Sequence, residues 1–228
     1  MDIFKIIQES WNYYRRHLYA ITLVMLPVIC IVDLFNAVIP IDLKNITALQ
    51  GSLLTLAPFV LLPLYQAAIV VLLKSRYDGA NLTTGQCYRH GSDAYVRLLV
   101  MYIVMGIAIF FGFMLLIIPG IYLIGRFCLA DYFCVLEEKS YTESLTLSWN
   151  ATKQFQWPIL GGYLLVALLQ AMPTYLLGSL VGILELENAV VDFVIGAIST
   201  ILMVMITAYT FRVYCFLEVD EPKQGEVV

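Results

Sequence analysis

Apolar positions run along the chain in six blocks, at roughly 18–39, 51–73, 98–118, 120–136, 157–183 and 193–217. Each is near the ~20 residues a helix needs to span the hydrocarbon of a bilayer. Only the stretch "IIPGIY" separates the third block from the fourth. Pro119-Gly120 is a turn signal inside an apolar run too long for one crossing, so the run is expected to split there into a tight hairpin. A different pattern precedes the first block. Phe4, Ile7, Trp11, Tyr14 and Leu18 follow the alternating three-and-four spacing of one helix face, while Asp2, Lys5, Glu9, Asn12 and Arg16 repeat that spacing on another.

Helix-start signals recur ahead of the odd-numbered blocks. Asp2 can cap the first stretch, Thr83 with Gln86 forms a capping-box pattern, and Ser140 with Glu143 forms another. From each cap to its apolar run is about 16 residues, or some four helical turns. The tripeptide Ser-Trp-Asn occurs at residues 10–12 and again at 148–150, with the same offset that separates Asp2 from Ser140. The fourth and sixth blocks also echo one another, "FCVLE" at 133–137 matching "YCFLE" at 214–218. The chain therefore reads as one membrane domain over 1–228, built from repeats at about 1–78, 79–138 and 139–220, with 221–228 as a cytoplasmic tail. The expected fold is all-α and polytopic, with six transmembrane helices as three hairpins, each preceded by a cytoplasmic amphipathic interfacial helix. Such helices could lie at the membrane surface, with Trp11, Arg15, Arg16, Trp149, Lys153 and Trp157 at headgroup depth. Equally, they could pack on one another as a collar.

Composition decides the class. With 61% hydrophobic and 13% charged residues, and a mean hydropathy of +0.84, too little polar surface remains for a water-soluble domain of this size. Charges at Asp2, Lys5, Glu9, Arg15 and Arg16 precede any long apolar core, which does not fit a cleavable signal. The five cysteines contain no C-x-x-C pair and read as packing residues. Lysines and arginines concentrate before block 1, between blocks 2 and 3, and between blocks 4 and 5. The opposite side carries Lys44 with Asp42, Glu185, Glu187 and Asp192, so the positive-inside bias puts both termini in the cytoplasm.

Chemistry is sparse. Arg126 lies inside the fourth block, where a cation marks either a functional position or a side chain snorkelling to the outer headgroups. Aligning the two echoing ends puts Asp131 and Arg212 at equivalent positions, and the pair is expected to meet between helices; the alternative places Arg212 on cytoplasmic phosphates and Asp131 on a neighbouring hydroxyl. Asp33 is a further candidate partner for Arg126. Gln66 and Gln170 are expected to make interhelical hydrogen bonds, and the glycines, Gly178 and Gly182 among them, to allow close packing. Neither the two histidines nor any carboxylates take a metal-ligand spacing, and no nucleophile or phosphate-binding motif occurs. No catalytic residue, metal or cofactor is expected.

One resemblance adds a location. The stretch "LLIIPGIYLIGRFCLADYFCVLEEKSYTESLTLSWNATKQ" is similar to YciC-like bacterial inner-membrane proteins and to the membrane-anchor domain beside some glycerophosphodiester phosphodiesterases. The shared features are Pro119-Gly120, a span ending before Glu137, Ser148-Trp149 ahead of the fifth span, and the closing "AYTFRVYCFLEV". The resemblance implies the bacterial inner membrane and no reaction. The resulting expectation is a non-catalytic, lipid-interacting or envelope-organising scaffold. Its expected partners are membrane lipids, a second copy or another membrane protein, and not nucleic acid. The alternative is a transporter or channel for a small polar or anionic solute, using Arg126 and spans kinked at prolines such as Pro27 and Pro173.

Overall fold

The computed structural model describes residues 2–38, 48–183 and 189–220, and these form helices without a strand. The helices are α1 (Ile3–Val38), α2 (Ala48–Tyr77), α3 (Thr84–Ser92), α4 (Tyr95–Leu115), α5 (Ile117–Phe127), α6 (Ala130–Val135), α7 (Tyr141–Ala151), α8 (Gln156–Ile183) and α9 (Ala189–Asp220). Six stretches are long and apolar enough to cross a membrane: Ile3–Val32, Phe59–Tyr77, Tyr95–Leu115, Ile117–Val135, Gln156–Ile183 and Phe193–Leu217. Around the α4–α5 tip, Met114, Leu115, Leu116, Ile117 and Ile118 are between 67% and 76% exposed. Five adjacent apolar side chains that bare would be costly in water and are at home in lipid.

The helix starts follow the capping chemistry. Asp2 accepts the Lys5 amide at 3.3 Å. Gln86 accepts the Thr83 amide at 2.8 Å, and Ser140 and Glu143 form a reciprocal box at 3.1 and 3.4 Å. These bonds satisfy amides that a helix leaves unpaired in its first turn.

Two boundaries differ from the sequence expectation. The turn between α4 and α5 falls at Leu116, whose backbone is extended, and not at Pro119-Gly120. Pro119 instead occupies the first turn of α5, where its missing amide costs no hydrogen bond. Gly120 serves a different need. A Cβ at Gly112 would lie 3.0 Å from the Gly120 Cα, and one at Gly120 would collide with the Phe113 ring, so the two glycines let the arms of the hairpin touch. The first amphipathic stretch, moreover, is no separate surface helix, because α1 continues from Ile3 through Pro27 to Val38. Asn12 to Leu18 offer no Gly or Pro to end it. Its buried side is Ile6, Ser10, Tyr14 and Ile21, which leaves Phe4, Trp11 and Leu18 of the apolar stripe facing outward.

The short helices pack on the helix before them. α3 folds back along α2, where Gly91 allows contact with Ala67 and Ala68. α7 folds back along α6 and α5, and α1 lies against both α2 and α9. The core runs through the middle of this arrangement, with Ile21, Leu72, Tyr132, Tyr209 and Phe211 fully buried. Small residues do not always mark packing. Gly112 and Gly162 are closely approached, whereas Gly106, Gly161, Gly178 and Gly182 meet nothing among the described residues.

Candidate functional site

The fourth span is interrupted between Phe127 and Ala130, and the two ionisable residues of interest lie on either side of the break. Arg126, in the last turn of α5, is only 7% exposed. Each of its three guanidinium nitrogens donates a hydrogen bond. Nε reaches the Tyr122 hydroxyl at 2.8 Å, Nη2 reaches the same oxygen, and Nη1 reaches the Trp149 carbonyl at 3.1 Å. The Tyr122 and Trp149 ring centroids both lie 4.9 Å from the guanidinium carbon, and the two rings meet edge to face at 6.1 Å, so they form an aromatic corner against the cation. Tyr122 is placed by helical spacing, one turn before Arg126. Gln156 fixes that turn by donating to the Tyr122 carbonyl at 2.9 Å, and Gly125 leaves room for it. Arg126 therefore does not snorkel outward. Its nitrogens are held by Tyr122 of its own helix and by the Trp149 carbonyl of α7.

α7 also repairs the broken span. A helix break frees backbone groups that lipid cannot satisfy. The Ser148 hydroxyl donates to the Arg126 carbonyl at 2.7 Å and accepts the Leu129 amide at 3.3 Å, and Thr152 adds a longer bond to the same carbonyl. In its second appearance, Ser-Trp-Asn thus supplies a hydroxyl for the break and an indole for the cation.

Asp131 and Arg212 do not pair. Arg212 forms an ion pair with Glu9 of α1. Asp131 accepts from the Gln66 amide nitrogen of α2 at 3.1 Å, with the Tyr102 hydroxyl of α4 beside it. The same Gln66 nitrogen lies 3.3 Å from the Thr207 hydroxyl of α9. The Phe133 and Tyr214 rings of the two echoing segments meet at 5.5 Å. Positions two residues earlier are turned about 200° around each helix, however, so they point away from one another. The side chain of Asp33 lies outside the described residues.

Comparison with family models, with curated proteins and with solved structures gives no match. The molecule's own geometry must therefore carry the reading. A groove of ≈ 390 Å³ lies between α1, α8 and α9, walled by Phe4, Ile7, Trp11, Leu169, Pro173 and Met205. Gln8 and Gln170 are its polar members, and Gln170 Oε1 is buried without a hydrogen-bond partner. Of the expected interface residues, Arg15, Arg16 and Lys153 are exposed and Trp157 is 66% exposed. Trp149 is committed to Arg126. In α3, outside the spans, burial pushes the Cys87 thiol above its ordinary value and Tyr88 up to about 12, so neither is a reactive group near neutral pH.

Sequence reasoning missed Tyr102, Thr207 and Tyr122. Hydroxyls within apolar runs add little to a hydropathy pattern. The available signal was that Tyr102 stands inside a span, away from the membrane interface where tyrosines usually gather.

Proposed function

We propose that this chain is a non-catalytic, multi-pass protein of a bacterial inner membrane that holds a membrane lipid in the groove between α1, α8 and α9. The observation that carries the reading is the groove wall itself. It is almost wholly apolar, belongs to helices long enough to cross a bilayer, and contains an indole beside two amides. In that setting the surrounding medium is acyl chain, and an indole with an amide favours the border between chain and headgroup. The finer architecture belongs to the same proposal: three hairpins, each introduced by an amphipathic segment (the start of α1, then α3 and α7), with both termini cytoplasmic. The capping bonds at Asp2, Gln86 and Ser140 support the repeat.

Lipid mass spectrometry of the protein purified in mild detergent tests the reading. Wild type should retain about one lipid more than Leu169→Trp or Met205→Trp, in which an indole fills the groove. Equal retention by all three would refute it. For orientation, a cysteine at exposed Lys153 should be protected from impermeant maleimide in intact cells, and one at Lys44 labelled.

The transporter alternative needs Arg126 available to an anionic solute. With every guanidinium nitrogen donating to the protein and the side chain buried against two rings, Arg126 gives that alternative no support.

A further inference from the structure

Of the two carboxylates described inside the spans, Glu9 pairs with Arg212, whereas Asp131 has neutral partners and no cation. The two ion pairs among the described residues, Lys74–Asp78 and Glu9–Arg212, do not include it. Its neighbours are Gln66 and Tyr65 on α2, Tyr102 on α4, Cys128 and Tyr132 on its own segment, Tyr163 on α8 and Thr207 on α9. None of these carries a positive charge. A carboxylate can accept about four hydrogen bonds; Gln66 supplies one, and the Tyr102 hydroxyl stands beside it. The rest of its capacity, and all of its charge, is unmatched by the chain.

Access points the same way. Asp131, Gln66, Tyr65, Tyr102 and Tyr163 lie deep among the helices but keep partial surface. Behind them Thr207 is 6% exposed and Tyr132 1%. Residues on the α2, α4 and α8 side of Asp131 thus keep some surface, while those behind it are closed. Oxygen predominates around it: two carboxylate oxygens, the Tyr102 and Thr207 hydroxyls, and the Gln66 amide, whose oxygen replaces its nitrogen after a half-turn of the side chain. A hard monovalent cation takes oxygen ligands of this kind, and one positive charge would neutralise the site.

We propose that Asp131, with Gln66, Tyr102 and Thr207, forms an exchangeable site for one monovalent cation, taken up as a proton or as sodium. On proton uptake the carboxylic O–H donates to a neighbouring oxygen. On sodium uptake the carboxylate stays ionised and the amide turns. The site is separate from the lipid groove, and either assignment can fail without the other.

The test uses the full chain in zwitterionic micelles. The melting temperature is followed as sodium replaces choline at constant ionic strength, and as the pH is lowered from mildly alkaline to mildly acidic. By mass action the occupying ion stabilises the folded chain, and a rise of about 3 °C or more is expected. A sodium response alone assigns an alkali cation. An acid response alone, with a protonated-carboxyl infrared band that Asp131→Asn abolishes, assigns the proton. A sodium response that fades on acidification assigns competition for one site. Tyr102→Phe keeps the carboxylate and should weaken the sodium response about tenfold in apparent affinity or shift the carboxyl band. Absence of both responses in wild type, or responses unchanged in Asp131→Asn or Tyr102→Phe, would overturn the proposal. The wild-type measurements decide it even if Asp131→Asn does not fold.

Discussion

Arg126 and Asp131 are five residues apart on one interrupted span, yet the protein treats their charges in opposite ways. Arg126 receives a partner for each nitrogen and two rings packed against it. Asp131 receives neutral partners, partial access and no counter-charge. Burying a charge is costly in either case. The chain meets that cost by itself at Arg126 and leaves it to be met from outside at Asp131. A cation held so completely is a fastener. An anion held so incompletely is the place to look for exchange.

Removing the fastener should produce the largest effect. Arg126→Met keeps much of the side-chain bulk and loses the charged hydrogen bonds and both π contacts, at a cost of roughly 3 kcal/mol. Thermal melting in micelles measures it. Arg126→Lys should recover less than half of that loss, because an ammonium cannot reproduce the planar fork against two rings. Full rescue by lysine would mean that charge alone matters here.

The two Ser-Trp-Asn copies sharpen the contrast at the next level of size. Ser148 serves the freed groups of a broken helix, so Ser148→Ala strands the buried Leu129 amide and should cost about 2 kcal/mol. Ser10 is equally buried, but its hydroxyl returns to the Ile6 carbonyl of its own helix. It lies on unbroken α1, which packs on unbroken α9, so no orphaned amide waits for it. Ser10→Ala should therefore change stability by about 0.5 kcal/mol or less. Equal losses at both positions would show that the repeat fixes energy as well as sequence. The neighbouring indoles divide in the same way: Trp149 covers Arg126, while Trp11 walls the groove.

This division explains what could be read beforehand. Span number and length follow from hydropathy, and the capping boxes at Thr83 and Ser140 from local chemistry, because both depend on residues close together in sequence. Partner choice does not. Arg212 finds Glu9, 203 positions away, because of how α1 crosses α9, and no pattern in the spans encodes that crossing. The break after Phe127 was equally silent. No proline or glycine occupies 127–130, and the feature that makes it tolerable, Ser148, sits on another helix. Gln66 was read as an interhelical hydrogen-bonding residue, and it is one, but its partner could not be named without the fold.

On the other side of the comparison the expected change is smaller. Asp131→Asn keeps size and one acceptor, so stability at neutral pH without sodium should stay within about 1 kcal/mol of wild type. A loss as large as that of Arg126→Met would make Asp131 a second fastener and erase the distinction between them.

The smallest effect lies at the far end of α7, the helix that brings Ser148 and Trp149 to Arg126. Hydrogen bonds from the Ser140 hydroxyl and amide hold Glu143 below its ordinary carboxyl value of 4.5. A lowered folded value means that the carboxylate's contribution is complete above the ordinary value and is lost as pH falls through the lowered one. Glu143 is fully exposed, so solvent screens the gain and only local loosening is expected. Hydrogen exchange at the Ser144 amide, corrected for intrinsic chemistry, should therefore accelerate below that pH in wild type. In Glu143→Gln, which keeps the capping geometry without the charge, it should not. Identical pH profiles in the two proteins would mean that the ionised box does nothing for α7. The placement of Arg126's partners on α7 would then rest on packing along α4, α5 and α6.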